Sequence, residues 1–175
     1  NLPISATAEE MQIKRQPVDE CVQYISDLLD ESYADLPTSI RVKGEYGRID
    51  KAINRALKAK LLLMAASPLF NGNPDYANFK DEEGNPYFNP VEDATKWEKA
   101  AEAAKQAIDD ATNASHDLFY FDQSMSGFKL SETSLIQMSI RHAVCERWNK
   151  EIVWGLSDSR ATTMQNYCMP DAHLN

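Results

Sequence analysis

Four stretches of the chain carry apolar residues at helical spacing, and the polar residues between them mark where each helix starts and stops. In the first, Val18, Cys21, Val22, Ile25, Leu28 and Leu29 recur at steps of three and four, which puts them on one helical face. Gln23, Ser26, Asp27 and Asp30 take the other face. Pro17 sits where a first helical residue belongs, and Asp19 and Glu20 place carboxylates in the first turn. Both choices suit a helix N-terminus. This helix is expected to end before Leu36-Pro37.

The second helix is expected to begin near Gly47. Ile49, Ala52, Ile53, Ala56 and Leu57 form its apolar stripe, and Arg48, Lys51, Arg55 and Lys58 a basic one. From Leu61 to Ala66 the sequence is apolar all round, a pattern of helices packed on more than one side. Pro68 disfavours helix at Ser67 and sets a hard stop. The third helix opens on Thr95-Lys96-Trp97-Glu98, which reads as a capping box. Trp97, Ala100, Ala101, Ala104, Ala107, Ile108 and Ala111 then predict a tight helix–helix contact with Ala104 in its seam. A fourth helix is expected over roughly Glu132 to Arg147, with Leu135, Ile136, Met138, Ala143 and Val144 inward. Residues 118–121 read as a short buried or extended segment, 127–130 as loop, and 151–155 as a short strand or extended run. Residues 1–15 and the tail after Ser157 carry no readable pattern.

The connection over residues 68–94 holds Asn-Gly, Asn-Pro and Gly-Asn-Pro turn signals together with Phe70, Tyr76, Phe79, Tyr87 and Phe88. Connections of this length are usually functional or disordered, and five aromatics favour an ordered one. Sugars stack their C–H faces on rings and offer hydroxyls to polar side chains. Asn73, Asp75, Tyr76, Asn78 and Tyr87 are therefore the candidate ligand-binding residues. The other reading is that the rings fasten the loop to the helices by generic aromatic burial. Trp148 and Trp154 face the same choice, and Trp154, in an apolar run, is expected in the core.

The sum is an all-α fold of antiparallel helix pairs with long irregular loops, one helical domain over residues 1–175. Trp97, Ala101 and Ala104, and Ala65-Ala66 before Pro68, match elements of a tetratricopeptide repeat, but its period of about 34 residues is absent.

Composition narrows the function. The chain has 175 residues, 43% hydrophobic and 26% charged, as in soluble globular proteins. A net charge of −9 argues against nucleic-acid binding, which needs a basic face, and against docking on anionic lipid by charge. No apolar window is long enough to span a bilayer, and no signal peptide is visible. The chain opens on Asn1 and reads as a processed or truncated piece of something larger. Cys21, Cys145 and Cys168 are odd in number and widely spaced, with no zinc pattern; Cys21 and Cys145 are expected as buried free thiols. No nucleotide-binding glycine loop, nucleophile elbow or HExxH occurs. His116, His142 and His173 lie far apart in sequence. The oxygens of residues 71–75 do not match a calcium loop, and Asx-turns explain them. Asp81-Glu82-Glu83 and Asp109-Asp110 read as solvated surface. No catalytic residue, metal or cofactor is expected.

Several segments, in order, resemble the SusD/RagB family of outer-membrane nutrient-binding lipoproteins. Arg15 to Glu20 opening a helix is similar to that family's mid-chain entry. Gly47-Arg48 through Lys58-Ala59-Lys60 to Ser67-Pro68 and Asn71-Gly72 resembles its most recognisable signature. Trp97 to Ile108 is similar to the next repeat helix, and Asn149-Lys150-Glu151-Ile152-Val153-Trp154 to the short stretch that follows. The resemblance implies a non-enzymatic, surface-exposed lipoprotein that captures glycans or other nutrients beside a TonB-dependent transporter. This segment would be the tetratricopeptide-like scaffold that contacts the transporter, with the lipid anchor outside it. The alternatives are a tetratricopeptide-like adaptor for a peptide and a carboxylate-dependent glycan-active enzyme.

Overall fold

The structure, a computed structural model, describes residue 7 and residues 14–156. The described residues form four α-helices: α1 (Val18–Tyr33), α2 (Lys51–Ala66), α3 (Thr95–Asn113) and α4 (Glu132–Cys145). Short 3-10 turns lie at Lys43–Glu45, Pro74–Tyr76 and Gln123–Met125. No strand forms among the described residues, and the loop after α2 carries one isolated bridge, Lys80 with Pro86. The fold is all-α, as the periodicity implies. The tail after Ser157, with Cys168 and His173, lies outside the described residues.

α2 runs antiparallel to both α1 and α3. Near its start, Asn54 Nδ2 donates to Leu29 O (3.0 Å) and Ser32 Oγ (3.2 Å) at the end of α1. Past its far end, Asn71 Nδ2 donates to Asp93 O (3.0 Å) and Asn71 Oδ1 accepts from Asp93 N (2.8 Å), tying the exit of α2 to the entry of α3. α1 and α3 are consequently parallel, and side chains bridge them at both ends. Lys96 Nζ meets Asp19 Oδ1 at 2.6 Å, and Tyr33 OH donates to Asp110 Oδ2 at 2.8 Å. Arg55 and Lys58 of α2 both reach Asp30 of α1, at 2.6 and 2.5 Å. The bonded Lys58 ammonium, with help from Arg55, holds the Asp30 carboxyl below its usual range.

The fully buried apolar residues among those described are Ala52, Ile53, Ala65 and Ala66 of α2 with Ala100 and Ala103 of α3. α2 and α3 make the most extensive helix pair, and alanine lets their backbones approach closely. This seam corrects the expected phase of α3. Ala100 of the expected face is buried, but Ala103, outside that face, joins it, and Trp97 and Ile108 turn outward because they are too large for an alanine-lined seam. Trp97 is 42% exposed and Ile108 66%; Ala101 and Ala104 face outward with them.

Other expectations shift for related reasons. α2 starts at Lys51 rather than near Gly47, because Gly47 turns with φ 96° and the Asp50 carboxylate caps the helix by accepting from Ile53 N at 3.0 Å. The capping box at Thr95 does not form. Asp93 supplies the cap instead, its Oδ1 accepting from Thr95 N (2.9 Å) and Thr95 Oγ1 (2.7 Å), the usual N-cap geometry. These bonds lower the Asp93 pKa. Around Leu61 to Ala66, Leu63 and Met64 stay exposed, so one side of α2 is open. On α1 only Ser26 is buried, and Ile25 and Leu28 are exposed. On α4, Ile136 and Val144 face outward, since among the described residues α4 makes no extensive packing with another helix. Cys21 and Cys145 are exposed thiols, not buried ones, because they lie on these uncovered faces.

The phase of α3 is directly testable. Ala103→Trp overpacks the seam and is expected to cost about 1–3 kcal/mol or more. Ala104→Trp, on the open face, is expected to stay within about 0.5 kcal/mol. Thermal melts of the two variants separate the cases, and equal losses would place both alanines in the seam.

Candidate functional site

Three segments remote in sequence meet at one end of the α2–α3 pair. They are the chain entering α2, the chain leaving α3 and the turn after α4. Between them lies a cleft of about 350 Å³, within the size range of small-ligand sites.

Each wall has a local cause. α3 ends in a Schellman turn, with His116 N donating to Ala111 O (2.9 Å) and Ser115 N to Thr112 O (3.0 Å). The residue at the turn's left-handed position is usually glycine; here it is Ser115, at φ 73°. After α4, the buried Asn149 side chain takes over the helix's free carbonyls. Its Nδ2 donates to Ala143 O (3.0 Å) and Glu146 O (2.9 Å), and its Oδ1 accepts from Glu151 N (2.9 Å). The preceding residue, Trp148, is thereby held at φ 57°. Lys150 O accepts from Asp117 N at 3.1 Å, and His116 Nδ1 lies 3.2 Å from the same oxygen. These contacts fasten the turn to the exit of α3.

The cleft carries three rings. Trp148 meets Tyr46 edge-on with centroids 5.3 Å apart. Trp154 donates from Nε1 to Gly47 O at 3.1 Å and is 52% exposed. Trp154 is therefore not a core residue. Its polar edge is tied to the backbone before α2, which leaves the ring at the surface of the cleft. Residues 151–155 form no strand.

Ser115 and Trp148 are the two non-glycine residues with positive φ among the described residues, and both line this cleft. Left-handed backbone costs a non-glycine residue roughly 1–2 kcal/mol, and such strain clusters at functional sites.

The residues singled out in the 68–94 connection lie elsewhere. Asn73 is spent on its own turn: Oδ1 accepts from Asp75 N (3.0 Å) and Nδ2 donates to Leu69 O (3.2 Å). Tyr76 stacks on Phe88 at 4.3 Å, and Tyr87 meets Phe79 at 4.9 Å. Arg15 lies over the rings of Phe79 and Tyr87, at 5.3 and 5.9 Å from their centroids. Asp75 and Asn78 are exposed. Gly72, at φ 75°, brings the loop against Glu92, where a Cβ would come 2.7 Å from the backbone nitrogen. The rings thus bind mainly one another. The sequence pointed to Trp148 and Trp154 as ambiguous, but Tyr46, Ser115 and Asn149 carried no local signal of a shared site.

The fold and cleft define an all-α helical protein with a ring-lined concavity at one end of its central helix pair. No protein-family model and no curated protein matches the chain. Among solved structures, BT4246, a Bacteroides thetaiotaomicron protein, is 32% identical over 90% of this chain, with a TM-score of 0.76. Its selenomethionine form gives the same identity and coverage with a TM-score of 0.71. The chain spans about 30% of the length of that protein.

Removing the strain at α3's exit has a defined outcome. Ser115→Gly is expected to raise stability by roughly 1 kcal/mol, the cost of the left-handed conformation less glycine's extra entropy in the unfolded chain. Chemical denaturation measures it, and a destabilised variant would show that the serine hydroxyl contributes more than the strain costs.

Proposed function

We propose that this chain is the helical scaffold segment of a SusD/RagB-type, non-enzymatic nutrient-binding lipoprotein at the bacterial outer membrane, acting with a TonB-dependent transporter. The observation that carries the glycan part of this reading is the cleft lined by Tyr46, Trp148 and Trp154, whose rings offer stacking faces. Polar groups stand beside them, as sugar recognition requires. The likeness to BT4246 across 90% of this chain and 30% of that protein supports reading the chain as one segment of a larger protein.

The scaffold role draws on the apolar residues left uncovered. Trp97 and Ile108 on α3, Leu63 and Met64 on α2, and Tyr24 and Leu28 on α1 are all exposed. Helical-repeat proteins use such faces against neighbouring repeats and large partners, and tetratricopeptide-like packing is part of this proposal. A peptide adaptor is less well matched, because its concave face would not need three rings. Glycosidase chemistry requires two opposed carboxylates. Among the described residues lining the cleft, Asp50 is the one carboxylate, and it is engaged with Ile53 N.

Calorimetric titration of an oligosaccharide panel into the full-length protein tests the reading. Binding is expected, and Trp154→Ala is expected to weaken it about tenfold or more, the equivalent of one lost ring contact. Circular dichroism checks that the variant is folded. A full-length protein that takes no sugar, or a Trp154→Ala variant that binds as well as the parent, would overturn it.

A further inference from the structure

The cleft differs in charge from the chain that carries it. The chain as a whole is at −9, yet among the described residues Arg41, Arg48 and Lys150 line the cleft against a single lining carboxylate, Asp50. Asp50 is buried and caps α2, so it is not free to pair with these cations. Arg48 has an exposed pairing with Glu45 at 2.9 Å, and Lys150 a long, exposed one with Asp117 at 3.5 Å. Exposed pairs of this kind are weak and readily exchanged. Arg41 has its Nε on Ser39 Oγ at 3.3 Å and makes no ion pair among the described residues.

Position adds to charge. A second groove, lined in part by Pro37, Val42, Glu45 and Ile49, adjoins the cleft and shares Arg41 and Arg48 with it. Arg41 and Arg48 therefore line both concavities, the cleft that carries Tyr46, Trp148 and Trp154 and the groove beside it. Guanidinium is the side chain best suited to paired hydrogen bonds with a carboxylate or sulfate. Rings alone would accept any sugar. Rings next to Arg41, which has no ion-pair partner among the described residues, and Arg48, whose exposed pairing with Glu45 can exchange, select one that carries an anionic group.

Resting on the glycan reading above, we propose that this cleft binds an acidic oligosaccharide, with Arg41 and Arg48 holding its carboxylate or sulfate and Tyr46, Trp148 and Trp154 taking the sugar rings. The site accepts a chain rather than a single sugar, since the two arginines line both adjoining concavities.

Two matched pairs of ligands test this on the full-length protein by calorimetry: oligogalacturonate against its methyl ester, and sulfated carrageenan oligosaccharide against its desulfated form. The rings are the same within each pair and the charge differs. In at least one pair, the charged member is expected to bind about tenfold tighter or more at low salt, and Arg41→Gln to reduce that preference to about threefold or less. Which pair responds tells a carboxylate-reading site from a sulfate-reading one. Equal binding of charged and neutral members would overturn this inference and leave the glycan reading standing. So would a preference that survives Arg41→Gln and, separately, Arg48→Gln. Failure of all four ligands to bind would count against both. Arg41 is exposed, so its replacement is not expected to disturb folding, and unchanged thermal melting verifies that.

Discussion

The close approach of α2 to α3 through alanine is the constraint on which the rest of the structure depends. Ala52, Ala65 and Ala66 on one helix and Ala100 and Ala103 on the other leave room for backbone to meet backbone but not for larger side chains. That choice fixes the rotation of α3, which in turn sends Trp97 and Ile108 outward. It also fixes where the ends of the two helices lie. The start of α2, with Asp50 and Ile53, comes beside the end of α3, with Ala114 to His116, and the cleft forms at that meeting point. A seam of larger residues would splay the helices and separate those walls.

An alanine seam removes little apolar area per residue, so hydrophobic burial is modest for helices of this length. Directional contacts compensate at the helix ends. Asn54 reaches the last turn of α1, Asn71 exchanges bonds with Asp93, and Tyr33 joins Asp110 while Arg55 lies 4.0 Å over its ring. Charged hydrogen bonds and cation–ring contacts depend on geometry more than on area. They specify which helix ends meet, whereas Trp97 and Ile108 of α3 and Leu63 and Met64 of α2 stay exposed. A molecule organised in this way has its strongest specificity inside and much of its apolar area free, which is the distribution a scaffold needs if its outer helix faces pack on something else.

The helices were legible in the sequence because period and punctuation agree: Pro17, Pro68 and the alternation of α1 and α2 mark them closely. Rotation was not legible for α3. Of the expected face, Ala100 is buried beside Ala103 while Trp97, Ala101, Ala104 and Ile108 turn outward, and only the size limit of the partner helix decides this rotation. Caps were partly legible. Thr95 with Glu98 offered a capping box, but Asp93 lies two residues earlier and presents a charged acceptor to the first turn, the stronger of the two arrangements. The cleft was the least legible feature. Its walls come from three segments separated by long stretches of chain. Two of its residues take backbone conformations that their side chains do not advertise: a serine where glycine is usual, and a tryptophan at φ 57°.

Those two conformations bear on how selectively the cleft can act. Trp148 is set by its own backbone and by the Asn149 cap on α4, and Trp154 by its bond to Gly47 O. Both rings are thus oriented before any ligand arrives, and a preorganised ring loses little entropy on contact. A fixed platform gives affinity for flat apolar faces in general and distinguishes poorly among them. Discrimination must then come from the groups around the platform that differ between ligands. In this cleft those groups are chiefly basic: Asp50 is committed to a helix cap, and Glu45 meets Arg48 only in an exposed, exchangeable pair. Ring placement and charge placement are therefore separable properties of the site, the first set by the ends of α3 and α4 and the second by the chain that leads into α2.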